Sequence, residues 1–339
     1  MSAVNGGAGA AGRAGRPIDL GLFTDSVPRL TFEAALDLAV EVGATAIEIA
    51  VGGVSEMTHA DTTALLSDPA ARSRFSDAFA RRGLRIAALN CSGFPLHPVI
   101  GDQQRRSIED TIRLAALLGV DKIVTMSGCP GDGPGATTVN WIWYPWPPDA
   151  VALLERQWDA AIPFWREMAG FAGEHGVRRI AFELHPLYLV YNVPTLERIR
   201  SAIGPVIGAN VDPSHMFWQQ MDPLAVIRAL GPAVHHVHLK DTELVPANVA
   251  LAGVLDQHPF EDPGPRAWGF RTIGRGHGAG FWAAFVAALV EVGYDDVVSI
   301  ENEDEWQPAE EGVREAAGFM RPILERVSWA DARSRPVDV

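Results

Sequence analysis

The chain has 339 residues, 47% of them hydrophobic, and a formal net charge of -14. That length suits one large α/β barrel or two modest domains, and the acidic balance excludes binding to nucleic acid through a basic surface. No apolar run approaches the roughly 18 residues a membrane span needs, and two cysteines, Cys91 and Cys129, make no disulfide framework, so a cytoplasmic setting is expected.

Residues 1–16 are Gly/Ala-rich with two arginines and no apolar core of a secretory signal, and are read as a disordered tail. From Pro17 a pattern sets in. Pro17–Thr24 reads as a strand, Leu30–Val42 as a helix with apolar residues at helical spacing, and Gly43 as its stop. Strands follow at Ala46–Val51, Leu84–Asn90 and Lys122–Met126, separated by helices at Asp61–Arg82 and Gln103–Leu118. The alternation continues with helices at Trp158–His175, Thr195–Ile203, Pro223–Leu230 and Phe281–Val292. The strands after them end at Glu183, Asp212, His238 and Glu301, and Ala309–Val327 closes the chain as a last helix. Eight strands alternating with helices imply parallel pairing with right-handed crossovers, hence a single (β/α)8 barrel over residues 17–327, with 328–339 as a C-terminal tail.

Two connections, Ser127–Asp149 and Asp241–Gly280, are too long for plain loops. Both follow strands and therefore belong to the face where barrel enzymes carry their sites. The first holds Trp141, Trp143, Tyr144 and Trp146. The second holds Trp268, Arg271, Arg275 and His277. The tryptophans suit either a wall for a flat ligand or, equally, a partner interface or local mini-core.

The chemistry is concentrated at four successive strand ends. A buried strand does not finish in a charge without a use for it, because an unpaired carboxylate is costly away from water. Glu183, Asp212, His238 and Glu301 make an oxygen-rich set with one imidazole, which suits Mn²⁺, with Mg²⁺ or Co²⁺ as alternatives, and is unlike a cysteine-built structural zinc site. Two carboxylates on one metal, from strands distant in the sequence, can flank a bound substrate as an acid/base pair. One carboxylate removes a proton beside a carbonyl, the other returns it, and the cation offsets the charge developed between the steps. That route isomerises or epimerises a keto sugar; the same carbanion expels a β-substituent in a lyase. His185, two residues after Glu183 on the same side of the strand, is a further catalytic candidate. His215, in Asp212-Pro-Ser-His215, and Lys240, in His238-Leu-Lys-Asp241, are candidate substrate contacts, with Arg271 and Trp146 from the loops. Two apparent signals are set aside: Gly7-Ala-Gly9-Ala-Ala-Gly12 follows no strand, and Asn90-Cys-Ser92 is a sequon without a secretory context. Each cysteine reads as a small packing residue.

These strand ends, with Asp212-Pro-Ser-His215, His238-Leu-Lys-Asp241 and Ile300-Glu301-Asn-Glu-Asp304, resemble the xylose-isomerase-like sugar isomerase/epimerase superfamily from about Pro17 to Val327. The resemblance implies a divalent metal, commonly manganese, on the four ligands, Glu183 and Glu301 as the catalytic acid/base pair and a substrate-facing His215. More narrowly, Asn90-Cys-Ser-Gly93, Ser127-Gly-Cys-Pro-Gly-Asp132, Tyr144-Pro-Trp146 and Phe270-Arg-Thr-Ile-Gly274 resemble the branch containing α subunits of C-glycoside deglycosidases. That likeness implies a 3-oxo-glucoside substrate with an aromatic aglycone and a small β subunit as partner. Tagatose-epimerase-type members carry an arginine shortly after the position of His238. Here Thr242-Glu-Leu-Val-Pro stands there, which favours a bulkier substrate than a free ketose and leaves Arg271 or Arg275 to take the arginine's place.

Overall fold

In the computed structural model, which describes residues 17–334, eight parallel strands close into one barrel. They are β1 (Asp19–Phe23), β2 (Ala46–Ala50), β3 (Arg85–Asn90), β4 (Lys122–Thr125), β5 (Arg179–Glu183), β6 (Ile207–Val211), β7 (Val234–Leu239) and, after two further short strands, β10 (Val297–Ile300). Each pairs with its neighbours around the ring, and β10 closes on β1 through Asp19↔Val297 to Leu22↔Ile300. The (β/α)8 architecture read from the sequence is the one found. The terminal segments 1–16 and 335–339 lie outside the described residues. Among those described, no helix is long and apolar enough to cross a membrane.

The helical shell is α1 (Phe32–Glu41), α2 (Thr62–Ser67), α3 (Pro69–Ala80), α4 (Gly101–Leu118), α5 (Pro148–Glu174), α6 (Val193–Ile203), α8 (Pro223–Leu230), α10 (Ala279–Glu291) and α11 (Ala309–Ser334), with short helices α7 (Ser214–Trp218) and α9 (Pro246–Ala252) above the barrel. The local chemistry sets the ends. Asp68, held extended by the proline after it, splits the single helix expected over 61–82 and caps α3 by accepting the Ala70 amide at 2.8 Å. Helix α5 begins ten residues before the expected Trp158, because Pro148 at its first turn has the helical φ already fixed. Gly119 ends α4 with φ 70°, a left-handed turn that suits glycine. Helix α11 runs past the expected Val327 to Ser334, and Ser328 in it accepts the Ile18 amide at 2.8 Å, tying the helix to the start of the barrel.

The apolar core lies between barrel and helices, with Trp158, Trp165, Trp282, Phe182 and Phe285 among its largest fully buried side chains. Trp165 meets Phe182 edge-on at 4.4 Å and donates its indole N–H to the Ser127 carbonyl at 2.8 Å. The N-terminal mouth of the barrel is closed by charge. The fully buried Lys122 pairs with Asp296 at 2.9 Å, and Asp296 also takes Arg179 at 3.0 Å and Arg85 at 2.8 Å. The starts of β3, β4, β5 and β10 are thereby locked together at the end away from the site.

The second long connection is not an irregular loop. Strands β8 (Asp241–Leu244) and β9 (Trp268–Arg271) pair antiparallel, Thr242 opposite Phe270 and Leu244 opposite Trp268. The buried Asp241 carboxylate anchors this hairpin, accepting the amides of Thr242, Gly274, Gly276 and His277 and the His277 ring, all between 2.7 and 3.1 Å. A Cβ at Gly276 would stand 2.2 Å from the Thr242 carbonyl oxygen, so only glycine allows the approach.

Candidate metal centre

The four strand-end residues converge. Glu183 closes β5, Asp212 follows β6, His238 is the fifth residue of β7 and Glu301 follows β10. One ligand atom from each lies within 4.8 Å of the others, and all four residues are buried. His238 Nδ1 is 2.9 Å from Glu301 Oε2 and 3.8 Å from Glu183 Oε2. Two of the inward atoms, Asp212 Oδ2 and His238 Nδ1, have charged neighbours at ion-pair distance but no hydrogen bond of acceptable direction. A buried carboxylate oxygen and a buried ring nitrogen without a hydrogen bond, facing two further carboxylates, fit a divalent cation and satisfy the donor preference of Mn²⁺ or Mg²⁺.

Around this set the charges are heavily coupled. Burial pushes the Glu183 carboxyl up and the nearby Glu301 adds to it. Burial opposes ionisation at Glu301 too, but His238 and Lys240 outweigh it and hold that carboxyl below the usual range. Lys240 is buried with its ammonium 2.7 Å from Glu301, 3.0 Å from Asp212 and 3.0 Å from Glu303. His215, in α7, sits 3.0 Å from Glu183 and 3.2 Å from Asp212. Burial works against its proton, yet Asp212 and Glu183 carry its pKa to about 9. His185 packs 4.0 Å from the His215 ring and hydrogen-bonds the Pro186 carbonyl; burial and the His215 charge hold it well below an ordinary imidazole.

These groups open into a cavity of about 400 Å³. Glu183, His185, His215, Lys240 and Glu301 form its polar floor with Asp25, Asn90 and Glu303. Phe23, Met126, Trp218, Phe260, Trp268 and Phe270 form an apolar wall. Trp218 and Trp268 stack at 4.8 Å with their planes 1° apart, and Phe260 stacks on Phe270 at 5.8 Å. Phe260, Trp268 and Phe270 come from the hairpin and its connection, and Trp268 both lines the cavity and packs with Trp218, Ala267 and Phe270 in a local apolar cluster.

Two expected contacts are placed elsewhere. Trp146 is 68% exposed and absent from the cavity lining. Arg271 turns outward to Glu243 and Asp304, its guanidinium 4.7 Å over the Trp306 ring. Its strand pairs so that Phe270, not Arg271, faces inward. Arg275 pairs with Glu315 at 2.7 Å. Neither arginine takes the position expected for it; the cationic side chains that line the cavity are Lys240 and His215.

Among the residues that sequence reasoning passed over are Asp25 of the cavity floor and the buried Glu48, His236 and Asn90. Glu48 is fully buried inside the barrel, takes His236 Nε2 at 2.7 Å and Asn90 Nδ2 at 2.8 Å, and lies 3.0 Å from His238 Nε2. The signal was present: a carboxylate inside the apolar run Ala46-Ile-Glu-Ile-Ala50, and His236 two residues before His238, on the same side of the strand.

A family profile described as xylose isomerase-like TIM barrel matches residues 36–323. The chain belongs to this family. The xylose isomerase-like chain is 39% identical over 309 residues to a protein of Bacillus subtilis (strain 168) named uncharacterized protein YfiH, covering 90% of this chain and 99% of that one. Solved structures share the fold at lower identity. An L-ribulose 3-epimerase matches with TM-score 0.61 and 15% identity over 94% of this chain and 100% of its own. The IolI protein with a bound zinc atom matches with TM-score 0.65 and 19% identity, over 91% and 99% of the two chains. A probable 3-DHS dehydratase, AsbF, from Bacillus anthracis matches with TM-score 0.64 and 16% identity, over 89% and 98%.

Proposed function

We propose that this xylose isomerase-like chain is a divalent-metal-dependent carbon–carbon lyase that cleaves a 3-oxo-glycoside of an aromatic aglycone. The observation that carries the reading is one cavity in which two glutamates face an aromatic wall: Glu183 and Glu301 on the floor, stacked Trp218 and Trp268 with Phe270 beside them. A polar, oxygen-rich part of the substrate belongs at the floor and a flat apolar part against the rings.

Glu183, Asp212, His238 and Glu301 would hold the cation, which when bound supplies Lewis-acid charge for the oxygens of an oxidised sugar. The remaining work falls to side chains. One glutamate takes the proton from the carbon next to the keto group. The electron pair of that C–H bond becomes a C=C bond as the bond to the aglycone, on the next carbon, breaks. The departing aglycone carbon takes a proton from the other acidic group of the floor, so protons and electrons balance and no oxidant is consumed. Lys240 and His215 place positive charge beside the oxygen on which negative charge develops.

An isomerase or epimerase is the second reading, favoured by the same glutamate pair and by the epimerase among the fold's relatives. The two reactions share the removal of the proton and part after it: in the second reading the proton returns to the sugar and nothing leaves. That a dehydratase shares the fold supports elimination as a chemistry this barrel accommodates. The test is to load the purified protein with Mn²⁺ and offer it a 3-oxo-C-glucoside with an aromatic aglycone, and separately a panel of ketoses in heavy water. Release of the aglycone supports the lyase. Deuterium gained beside the carbonyl without release supports the epimerase, and neither event with any substrate overturns both.

A further inference from the structure

Beneath the four ligands lies a second, wholly buried polar layer in which three donors meet one carboxylate. Glu48 reaches across the barrel interior from β2. Its Oε2 lies 2.7 Å from His236 Nε2, its Oε1 2.8 Å from Asn90 Nδ2, and both oxygens lie 3.0–3.1 Å from His238 Nε2. An ionised carboxylate only accepts. His238 must therefore present a proton on Nε2, and its Nδ1 is the atom turned toward Glu301 and Glu183. His236 Nδ1 has no partner, which places the single proton of that ring on Nε2, toward Glu48. The face of His238 is covered by Phe23, stacked at 5.5 Å, so the ring is fixed in plane as well as in tautomer.

The geometry points to Glu48 as the positioning residue of the metal centre, a carboxylate that locks the His238 ring with its Nδ1 lone pair directed at the cation, while His236 and Asn90 hold Glu48 in place. This rests on the metal-centre reading above and adds to it a residue that touches neither cation nor substrate. A hydrogen-bond acceptor behind a ligating imidazole fixes its orientation and raises its basicity, and losing one typically weakens metal binding about 10–100-fold.

The test is Mn²⁺ titration calorimetry on the full chain and its Glu48→Gln and Ser299→Ala variants, with histidine NMR of the Zn²⁺-loaded wild type. Ser299 lies in the same buried layer, its hydroxyl 3.2 Å from His236 Nε2, and stands opposite His238 in the register of β10 on β7, so Ser299→Ala perturbs the surroundings of that ring without removing Glu48. The expected results are one cation per wild-type chain, affinity lowered about 10–100-fold by Glu48→Gln, affinity in Ser299→Ala close to wild type, and a His238 ring bound through Nδ1 with its proton on Nε2. Equal affinity in folded Glu48→Gln, an equal loss in Ser299→Ala, or a His238 ring bound through Nε2 overturns the assignment, and the last holds even where the variant does not fold. Two cations per chain, the second lost in Glu48→Gln, also overturns it, since Glu48 is then a ligand. A wild type that binds no divalent cation overturns the metal centre itself, which separates the two failures.

Discussion

Replacing Asp296 by Asn perturbs the fold at the end of the barrel opposite the site. The Lys122 ammonium has no solvent exposure, and Asp296 is the carboxylate it pairs with, at 2.9 Å; Arg85 and Arg179 share the same carboxylate at 2.8 and 3.0 Å. Both arginines have second partners, Asp19 and Asp121, so the loss falls on Lys122. Breaking a buried pair by removing one partner costs about 3–5 kcal/mol, or roughly two to four decades in the folding equilibrium at ~1.4 kcal/mol per decade. The assay is urea unfolding monitored by circular dichroism and tryptophan fluorescence. A second variant, Lys122→Met with Asp296→Asn, recovers much of the loss, because an apolar side chain of similar length has no charge to desolvate. Acid supplies an independent arm. Burial disfavours the Asp296 charge, but Lys122, Arg85 and Arg179 outweigh it and depress its pKa below the ordinary 3.8. A depressed carboxyl contributes stability that is fully present above its unfolded value and is lost as the pH falls through its folded value. The gap between wild type and Asp296→Asn is therefore constant near neutrality and narrows only in strong acid. A cost below about 1 kcal/mol, the scale of an exposed pair, refutes the reasoning.

The same contacts set three other outcomes. Glu183→Gln and Glu301→Gln each lower turnover by about 10²–10⁴, the span of general acid–base catalysis, and lower it together by less than the product of the two; a full additive loss in a double variant contradicts a shared site. Trp268→Ala raises KM for an aromatic glycoside about tenfold, in line with a stacking contribution of about 1–1.5 kcal/mol, while leaving proton exchange on a simple ketose close to wild type. Burial pushes the Cys91 thiol up to about 11 and the Cys129 thiol up to about 12, so a thiol reagent at mildly alkaline pH labels neither in the native protein and both after denaturation.

The barrel and the convergence of Glu183, Asp212, His238 and Glu301 were legible because each of four short strands was punctuated by a charge or an imidazole where an apolar residue was due. The inner layer was harder to see. Glu48 reads locally as the polar position of an alternating strand, and only closure of the ring, which buries both faces of β2, turns it into an interior group. The β8–β9 pair was missed for a different reason: Asp241–Leu244 and Trp268–Arg271 are separated by a helix and a Pro/Gly-rich stretch, and such pairing is decided by tertiary register and not by local pattern. Arg271 and Phe270 show the cost of that gap, since alternation along β9 settles which of two adjacent residues faces the cavity.

In the proposed metal centre, side chains from four separate strands hold one divalent ion at the C-terminal mouth of the barrel. Crystals of the full chain soaked in Mn²⁺ and measured for anomalous scattering test it most directly. A single strong peak within bonding distance of Glu183, Asp212, His238 and Glu301, absent in Asp212→Asn, is the expected result; a peak elsewhere, or one that persists unchanged in that variant, contradicts the shared site.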